Sequence, residues 1–424
     1  MAIHSALRAT GDLAVRPESV TPEPSRRIEG EEELLLTGSE AIAHALRLAD
    51  VDIIAAYPIR PYDAVMQAVA LMIANGQMDC EYIVAEGEHS QFEIVKHASA
   101  VGARSFVGSS GVGWFYAFEA IAVTAGLRLP VVANVGNRAL DDPGAFGVEH
   151  NDALAVRDLG WLMTWVETGQ EAFDSAVIAY KVAEDPRVSL PCAVSTDGAF
   201  LTHSQHLVKI PPKHIVDQFL PAYNLGDRLF HPDNPITIAP QVDQDWLTEI
   251  RKQNDAAMRR APEIIREAYR EYYELTGRQK EPFIEEYMTD DADFVFVGQG
   301  TIAMPCRVIV RRLREQGHKV GFARLKWFRP FPAEEVVRRL SGFKGLGIID
   351  RNYSFGSPHH GGVLYTEFRA AFYDSPKRPA MVDFIAGLGG REVTADNGQE
   401  MFQLLQAGAA GDLKTNVHWI GVRE

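Results

Sequence analysis

Short apolar segments alternate with helical patterns over residues 34–201, and this alternation is the strongest constraint on the fold. VDIIAAYPI, RSFVGSS and LPVVANVG have the apolar, β-branched character of buried strands, whereas AVMQAVALMIANG and QEAFDSAVIAYKVAED have helical character. Strands that alternate with helices form parallel sheets, because a parallel connection must cross over a face of the sheet. We therefore predict an α/β fold in which helices cover both faces of a parallel sheet.

The same alternation returns from about residue 290, after an interruption. Residues 211–289 contain a proline-rich stretch and then a long charged helical pattern that includes Pro262. Residues 1–33 are rich in Pro, Ser, Arg and Glu and lack an apolar signal core, which is typical of a flexible arm. We predict a flexible arm over 1–33, a parallel-sheet domain over 34–210, a linker with a long helix over 211–289 and a second α/β domain over 290–424.

Charge and cysteine content exclude several classes of function. The 57 acidic residues outnumber the 42 basic ones, which argues against nucleic-acid binding. Cys80, Cys192 and Cys306 lack the C-x-x-C spacing of a zinc ribbon or a self-contained iron–sulfur cluster, so we predict no metal ligands in this chain. Reduced thiols fit a cytoplasmic protein. No run approaches about 20 apolar residues, so we expect no membrane span.

The predicted strand ends of the first domain carry the candidate ligand-binding residues. YPIRPY, AEGEHSQ, GSSGVGW and GNRALDDPG each follow or end an apolar run. In open α/β sheets, ligands bind outside the carboxyl ends of the strands. Four such segments in one domain predict a ligand site at this edge of the sheet.

Each charged residue in these segments has a structural and a functional interpretation. Glu86 and Glu88 begin a helix, where acids are favourable in any protein, but a buried carboxylate there can also exchange a proton with a cofactor nitrogen. Arg60 and Arg138 follow strands, either as ion-pair members or as groups that bind an anion. The GSSGVG turn can present backbone N–H groups to an anion, although it lacks the P-loop pattern.

FVGQGTIA in the second α/β unit matches G-x-G-x-x-A between a strand and a helix. This pattern occurs in dinucleotide-binding folds, but the acidic residue expected after the next strand is absent. KVGFARLKWF carries Arg324 and Lys326 there instead. A free-standing NAD-dependent dehydrogenase is therefore an alternative that calorimetry with NAD would test.

Seven segments in a fixed order resemble the α chain of thiamine-diphosphate-dependent 2-oxoacid:ferredoxin oxidoreductases. They are YPIRPY, EGEHSQ, GSSGVGWFYAFEA, LRLPVV, NRALDDPG, EHNDALAVRDLGW and DGAFLTH, and the resemblance continues through LKWFRPFP and AGLGGREV. It implies a pyrimidine-binding-type domain followed by a transketolase C-terminal-like domain. A non-catalytic scaffold chain with the same fold is the alternative from another class.

The resemblance also implies roles for individual residues. Glu88 matches the glutamate that contacts N1′ of the aminopyrimidine ring, and Arg138 matches the arginine that binds the substrate carboxylate. The implied cofactor-binding set is Pro58, Glu88, Gly111 and Gly113. The implied substrate-binding set is Tyr57, Arg60, Trp114 and Arg138.

Arg60 bears on the choice of substrate, because pyruvate-type members of the family carry threonine at this position. Oxalate oxidoreductase α chains resemble this chain in YPIRP, and phenylglyoxylate dehydrogenase α chains resemble it more extensively. Trp114 and Phe115 crowd the GVG turn, which favours an aromatic substrate. We therefore predict oxidative decarboxylation of phenylglyoxylate to benzoyl-CoA, with CoA as co-substrate and NAD as final acceptor. Oxalate oxidoreductase and pyruvate:ferredoxin oxidoreductase α chains are the alternatives.

The chain lacks two parts that the implied reaction needs. It has no GDG…N diphosphate and magnesium motif and no cluster cysteines. The resemblance implies that thiamine diphosphate is shared with a β chain that carries the diphosphate and Mg site. Iron–sulfur clusters and FAD are expected on further partner chains.

Overall fold

The computed structural model describes residues 28–141, 143–229 and 232–423. The arm predicted over 1–33 lies outside these residues except for 28–33. The strands are β1 (Glu32–Thr37), β2 (Ile53–Ala56), β3 (Glu81–Val84), β4 (Ser105–Ser109), β5 (Val132–Asn137), β6 (Leu162–Trp165), β7 (Cys192–Asp197), β8 (Gln205–Ile210), β9 (Ile284–Tyr287), β10 (Phe294–Gln299), β11 (Val320–Leu325), β12 (Trp327–Arg329), β13 (Gly345–Asp350), β14 (Ala380–Ile385) and β15 (Val417–Trp419). The helices are α1 (Gly38–Leu48), α2 (Asp63–Ala74), α3 (Glu88–Ala100), α4 (Gly111–Tyr116), α5 (Phe118–Gly126), α6 (Asn151–Leu154), α7 (Gly169–Glu184), α8 (Lys213–Phe219), α9 (Gln244–Thr276), α10 (Ala303–Glu315), α11 (Ala333–Leu340), α12 (Val363–Phe372) and α13 (Ala395–Ala410).

A seven-stranded sheet forms the first α/β unit, in the order β12-β6-β7-β5-β4-β2-β3. Every neighbouring pair is parallel except β12 with β6. Strands β4, β5 and β7 are buried along their whole length, which is why they are continuous apolar or small-residue runs in the sequence. The predicted parallel sheet is confirmed.

A six-stranded sheet forms the second unit, in the order β15-β14-β13-β10-β11-β9. It is parallel except for β9, which runs antiparallel to β11 at the edge. Strands β1 and β8 form a separate antiparallel pair beside the first unit. The predicted α/β class therefore holds for both units.

One segment that the sequence predicts as a single strand is divided between the two sheets. KVGFARLKWF splits after Leu325, and Trp327–Arg329 pairs with β6 of the first sheet. The side chain of Lys326 lies between the two strands in a buried ion pair with Glu171, at 3.0 Å. This ion pair neutralises the buried charge of Lys326 at the point where the chain passes from the second sheet to the first.

Helix α9 packs against α7 and shares the hydrophobic core of the first unit. It runs continuously from Gln244 to Thr276 with Pro262 inside, and its buried face includes Ala257, Ala261 and Tyr269. The segment predicted as a linker thus contributes to the core, while the domain boundaries stay predictions. Among the described residues, no helix has the length and apolar content needed to cross a bilayer.

Candidate active site at the strand ends

Glu88 is the first residue of α3, directly after Gly87. Its side chain is buried, with 7% relative exposure. Within the described part of the chain, its carboxylate receives no hydrogen bond and forms no ion pair. The helix N-terminus favours a negative charge at this position, but the carboxylate keeps its hydrogen-bonding capacity for a ligand.

Gly113 faces this carboxylate from the first turn of α4. A Cβ atom at Gly113 would lie 2.2 Å from Oε1 of Glu88, 2.7 Å from Cδ1 of Ile59 and 2.8 Å from Oγ of Ser109. These atoms come from three different strand ends, so the YPI segment, the end of β4 and the start of α3 converge on one point. Only glycine allows this close packing, because a Cβ atom would overlap all three groups.

Gly111 lies against the second predicted charged group, Arg138. Gly111 has a φ of +52°, and a Cβ there would lie 2.9 Å from Nε of Arg138. The guanidinium is buried, and it donates from Nη1 to the carbonyl oxygen of Arg60 at 3.1 Å and from Nη2 to Asp141 at 2.8 Å. Its Nε has no partner among the residues that the structure describes.

Asp152 links Gly111 and Arg138 through hydrogen bonds, and this role was not predicted from the sequence. Its Oδ2 accepts hydrogen bonds from the backbone N–H of Gly111 at 3.0 Å and of Arg138 at 2.9 Å. Its Oδ1 accepts from Asn137 Nδ2 at 2.9 Å and from the backbone N–H of Ala153 at 2.7 Å. Burial raises the pKa of Asp152, and the four donors oppose that rise. The only sequence signal was an acid inside the buried NDALAV segment.

Arg60 contacts the site through its backbone. Its side chain is 77% exposed and lies 3.6 Å from Asp63, whereas its carbonyl oxygen accepts the bond from Arg138. Its predicted role as a substrate cation stays a prediction. Tyr57, in the same segment after β2, is half-buried and Pro58 is exposed.

Trp114 turns away from the strand ends into the core. Its side chain is 0% exposed and packs edge-on against Phe92 and Trp161, with centroid distances of 5.4 and 5.8 Å. This orientation removes the packing argument for an aromatic substrate that rested on Trp114. The reason is that Phe92 and Trp161 pack against the indole and hold it on the buried face of α4.

The carboxylate of Asp197, at the end of β7, lies at the start of the GQGTIA turn of the second unit. Its Oδ2 accepts from the backbone N–H of Thr301 at 2.8 Å and from Nη1 of Arg351 at 2.7 Å, and its Oδ1 lies 2.8 Å from Nε2 of His150. The anion position at this helix start is therefore filled by a carboxylate of the protein itself. This turn is therefore not available to bind the phosphate of NAD, as a free-standing dehydrogenase would require.

Buried polar and charged side chains at the ends of parallel strands are typical of α/β enzymes that bind ligands at this edge of the sheet. Residues 44–270 match the family described as pyruvate flavodoxin/ferredoxin oxidoreductase, thiamine diphosphate-binding, and residues 292–397 match pyruvate:ferredoxin oxidoreductase core domain II. The chain belongs to this family, as the α subunit of a multi-subunit oxidoreductase that acts on 2-oxoacids.

Curated relatives match almost the whole chain. Pyruvate synthase subunit PorA of Pyrococcus horikoshii is 38% identical over 391 residues, which cover 92% of this chain and 98% of that protein. Ketoisovalerate oxidoreductase subunit VorA of Pyrococcus abyssi is 37% identical over 393 residues, which cover 91% and 96%.

Solved structures share the fold. The 2-oxoglutarate:ferredoxin oxidoreductase of Magnetococcus marinus, solved with 2-oxoglutarate, coenzyme A and succinyl-CoA, has a TM-score of 0.67 at 16% identity, covering 89% of this chain and 65% of that one. A split-gene transketolase, an inactive β4 tetramer, has a TM-score of 0.51 at 12% identity and covers 87% of this chain and 98% of that one. The predicted α/β fold class is thereby confirmed.

Glu88 fits one end of thiamine diphosphate. Its buried carboxylate has no protein partner among the described residues, so it could hold a ring nitrogen of the aminopyrimidine through a hydrogen bond. The described residues contain no group of three or more His, Cys, Asp or Glu side chains arranged to hold a metal ion.

Proposed function

We propose that this chain binds the aminopyrimidine end of thiamine diphosphate at Glu88 and the carboxylate of a 2-oxoacid at Arg138. The complex oxidatively decarboxylates the acid, transfers the acyl group to CoA and passes electrons to ferredoxin. The observation that carries the proposal is the buried Glu88 carboxylate at the strand ends, which has no hydrogen-bond or ion-pair partner among the described residues.

The roles of the two charged residues follow from their surroundings. When bound, thiamine diphosphate supplies the nucleophilic carbon and the electron sink for decarboxylation. Glu88 holds a proton at the pyrimidine nitrogen, since nothing else in the described chain competes for its carboxylate. Arg138 offers its free Nε–H toward the Gly111 turn, and its Nη contacts to Asp141 and Arg60 fix the plane of the guanidinium.

Partner subunits complete the site. We place the diphosphate and Mg site on a β chain and the iron–sulfur clusters on further chains, because the sequence has no GDG…N motif and only three cysteines. Exposed apolar side chains next to the site support a partner at this edge: Val112, Tyr116, Phe118 and Phe146. We place the complex in the cytoplasm, which the three unpaired cysteines support.

The proposed substrates are pyruvate or a small branched 2-oxoacid. The names of the curated relatives support this choice, and the inward orientation of Trp114 removes one of the two aromatic side chains that favoured an aryl substrate. Ferredoxin is the proposed acceptor, because the descriptions of the matched family models name it.

Phenylglyoxylate is the second candidate, and Phe146 is the observation that favours it. The Phe146 ring is 71% exposed, and its centroid lies 5.5 Å from Cζ of Arg138. A phenyl group next to a carboxylate bound at Arg138 would meet this ring. That reaction would yield benzoyl-CoA, with NAD as acceptor through a FAD-bearing partner.

A substrate panel on the native complex, purified anaerobically through this chain, tests the proposal. Pyruvate, 2-oxoisovalerate, phenylglyoxylate, oxalate and 2-oxoglutarate are each supplied with and without CoA. Reduction of ferredoxin, a viologen dye or NAD is followed. CoA-dependent ferredoxin reduction with an aliphatic acid supports the first candidate, and activity on phenylglyoxylate alone selects the second. A thiamine-diphosphate-loaded complex that oxidises no 2-oxoacid contradicts the proposal.

A further inference from the structure

The backbone at Arg138 is held by a loop rather than by a neighbouring strand. Arg138 follows Asn137, the last paired residue of β5, and its backbone N–H donates to the carboxylate of Asp152 at 2.9 Å. The backbone N–H of the next residue, Ala139, donates to the carbonyl oxygen of Gly147 at 2.9 Å. We call residues 143–151, which lead into Asp152, the return loop. The position of Arg138 therefore depends on where the return loop is held.

Backbone groups of the second α/β unit contact this loop. The N–H of Gly390 donates to the carbonyl oxygen of Val148 at 3.2 Å. Next to this bond, a Cβ atom at Gly147 would lie 1.8 Å from the carbonyl oxygen of Gly389, so glycine is what allows the two segments to approach this closely. The turn after β14 thus holds the part of the return loop that bonds Ala139.

Asn151 adds a side-chain contact to the same unit. Its Nδ2 donates to the carbonyl oxygen of Tyr353 at 3.0 Å, and its Oδ1 accepts from the backbone N–H of Tyr353 at 3.1 Å. The two residues are 202 positions apart in the chain. An amide that donates to and accepts from one backbone residue is fixed in both distance and orientation. Asn151 is the first residue of α6, so this contact sets the position of the next residue, Asp152.

We propose that Asn151 is a positioning residue through which the second unit places Arg138 for the substrate carboxylate. This inference rests on the proposed function, in which Arg138 binds that carboxylate. Tyr353 holds Asn151, and Asn151 places Asp152. The Asp152 carboxylate then holds the backbone of Arg138. Because Asn151 acts through these neighbours, its loss weakens binding of the acid and leaves the chemistry of decarboxylation in place.

An alanine variant of Asn151 separates this role from simple stabilisation. N151A is made in the complete complex, and KM and kcat are measured for the 2-oxoacid that the wild type oxidises. The inhibition constant of oxamate, an unreactive isostere of pyruvate, reports carboxylate binding without turnover. We expect KM and the inhibition constant to rise about three- to tenfold, as for other contacts that act on a site through neighbours, with kcat changed less than about twofold.

Glu367→Gln is the matched control, because it breaks another contact between the units, the 2.6 Å pair with Arg329, which lies outside the return loop. It should lower the melting temperature and leave KM and the inhibition constant unchanged. Wild-type values of both constants in N151A would overturn the inference, as would an equal rise in E367Q.

If N151A does not assemble, N151D replaces it under the same criterion, because an aspartate keeps the acceptor for the Tyr353 N–H and loses the donor to its carbonyl oxygen. A wild-type complex that oxidises no 2-oxoacid would instead overturn the proposed function, so the two failures are distinguishable.

Discussion

Asp197 accepts a hydrogen bond from Nη1 of Arg351 at 2.7 Å, and this buried ion pair joins the two α/β units. Asp197 ends β7 in the first sheet, and Arg351 follows β13 in the second. The carbonyl oxygen of Arg351 also accepts from the backbone N–H of His150 at 2.9 Å. Since His150 precedes the helix that carries Asp152, the second unit helps to hold the loop behind Arg138.

Removing the charge of Asp197 should destabilise the protein. Asp197→Asn leaves Arg351 buried without a counter-charge, so we expect the free energy of unfolding to fall by about 3–5 kcal/mol. Denaturant unfolding at neutral pH measures this change. Asp255→Asn, which breaks an exposed pair with Arg259, is the matched control and should leave stability unchanged within error. Equal effects of both variants would contradict a central role for Asp197.

Glu88→Gln should abolish turnover while the complex stays assembled. The amide cannot hold and return a proton, so we expect kcat to fall by about 100- to 10,000-fold. The assay is 2-oxoacid-dependent dye reduction, with size-exclusion chromatography to verify assembly. Glu86→Gln, an exposed position two residues upstream, is the control and should keep near-normal rates. Near-normal turnover in Glu88→Gln would rule out the catalytic assignment.

Gly113→Ala should impair the site more than the fold. The new methyl group would meet Oε1 of Glu88 at 2.2 Å, and because this atom ends a flexible side chain, the carboxylate moves rather than the backbone. We expect about a 100-fold loss of kcat/KM from the displaced carboxylate, with a small change in melting temperature. Gly126→Ala, whose Cβ would have its nearest neighbour at 3.7 Å, is the control. Full activity of Gly113→Ala would show that the position of the Glu88 carboxylate against Gly113 does not matter for turnover.

Arg60→Thr tests the one predicted substrate residue that points to solvent. Its exposed pair with Asp63 contributes little, so stability should not change. If Arg60 binds a second carboxylate, kcat/KM for oxalate should fall relative to that for pyruvate in the same substrate panel. We expect this shift because the Arg60 backbone already contacts Arg138. An unchanged substrate profile would assign Arg60 to the surface.

Stability should depend on pH through Asp383. Its Oδ2 accepts from the backbone N–H of Gly362 at 2.7 Å, and burial together with the charge of Asp350 raises the pKa of Asp383 well above its usual range. Since the folded-state pKa exceeds the unfolded value of about 3.9, the protein loses stability as pH rises from about 4 toward the folded-state pKa.

Asp383→Asn removes this titration. As pH rises above about 4, the free energy of unfolding of the variant should therefore increase relative to that of the wild type, as denaturant titrations would measure. Asp412→Asn, at an exposed position near the C-terminus, should leave the pH profile parallel to that of the wild type. Parallel profiles for Asp383→Asn as well would show that Asp383 is ionised throughout.

The part of the site that could be predicted is the part that depends on strand ends. Glu88, Gly111, Gly113 and Arg138 each follow a predicted strand, and the parallel sheet brings such ends to one edge. Trp114 was misjudged because a residue's distance from a turn does not say which face of the next helix it occupies. Packing against Phe92 and Trp161 decides that orientation.

The sequence by itself determined the α/β class and the edge of the sheet that carries the site, because strand and helix periodicities are local properties of the chain. Only the tertiary structure decided how the two units interlock. Asp197 and Arg351 are 154 residues apart, and the transfer of Trp327–Arg329 to the first sheet depends on a buried pairing of Lys326 with Glu171. Such contacts depend on which distant charges remain unpaired after the core has packed, and no local pattern carries that information.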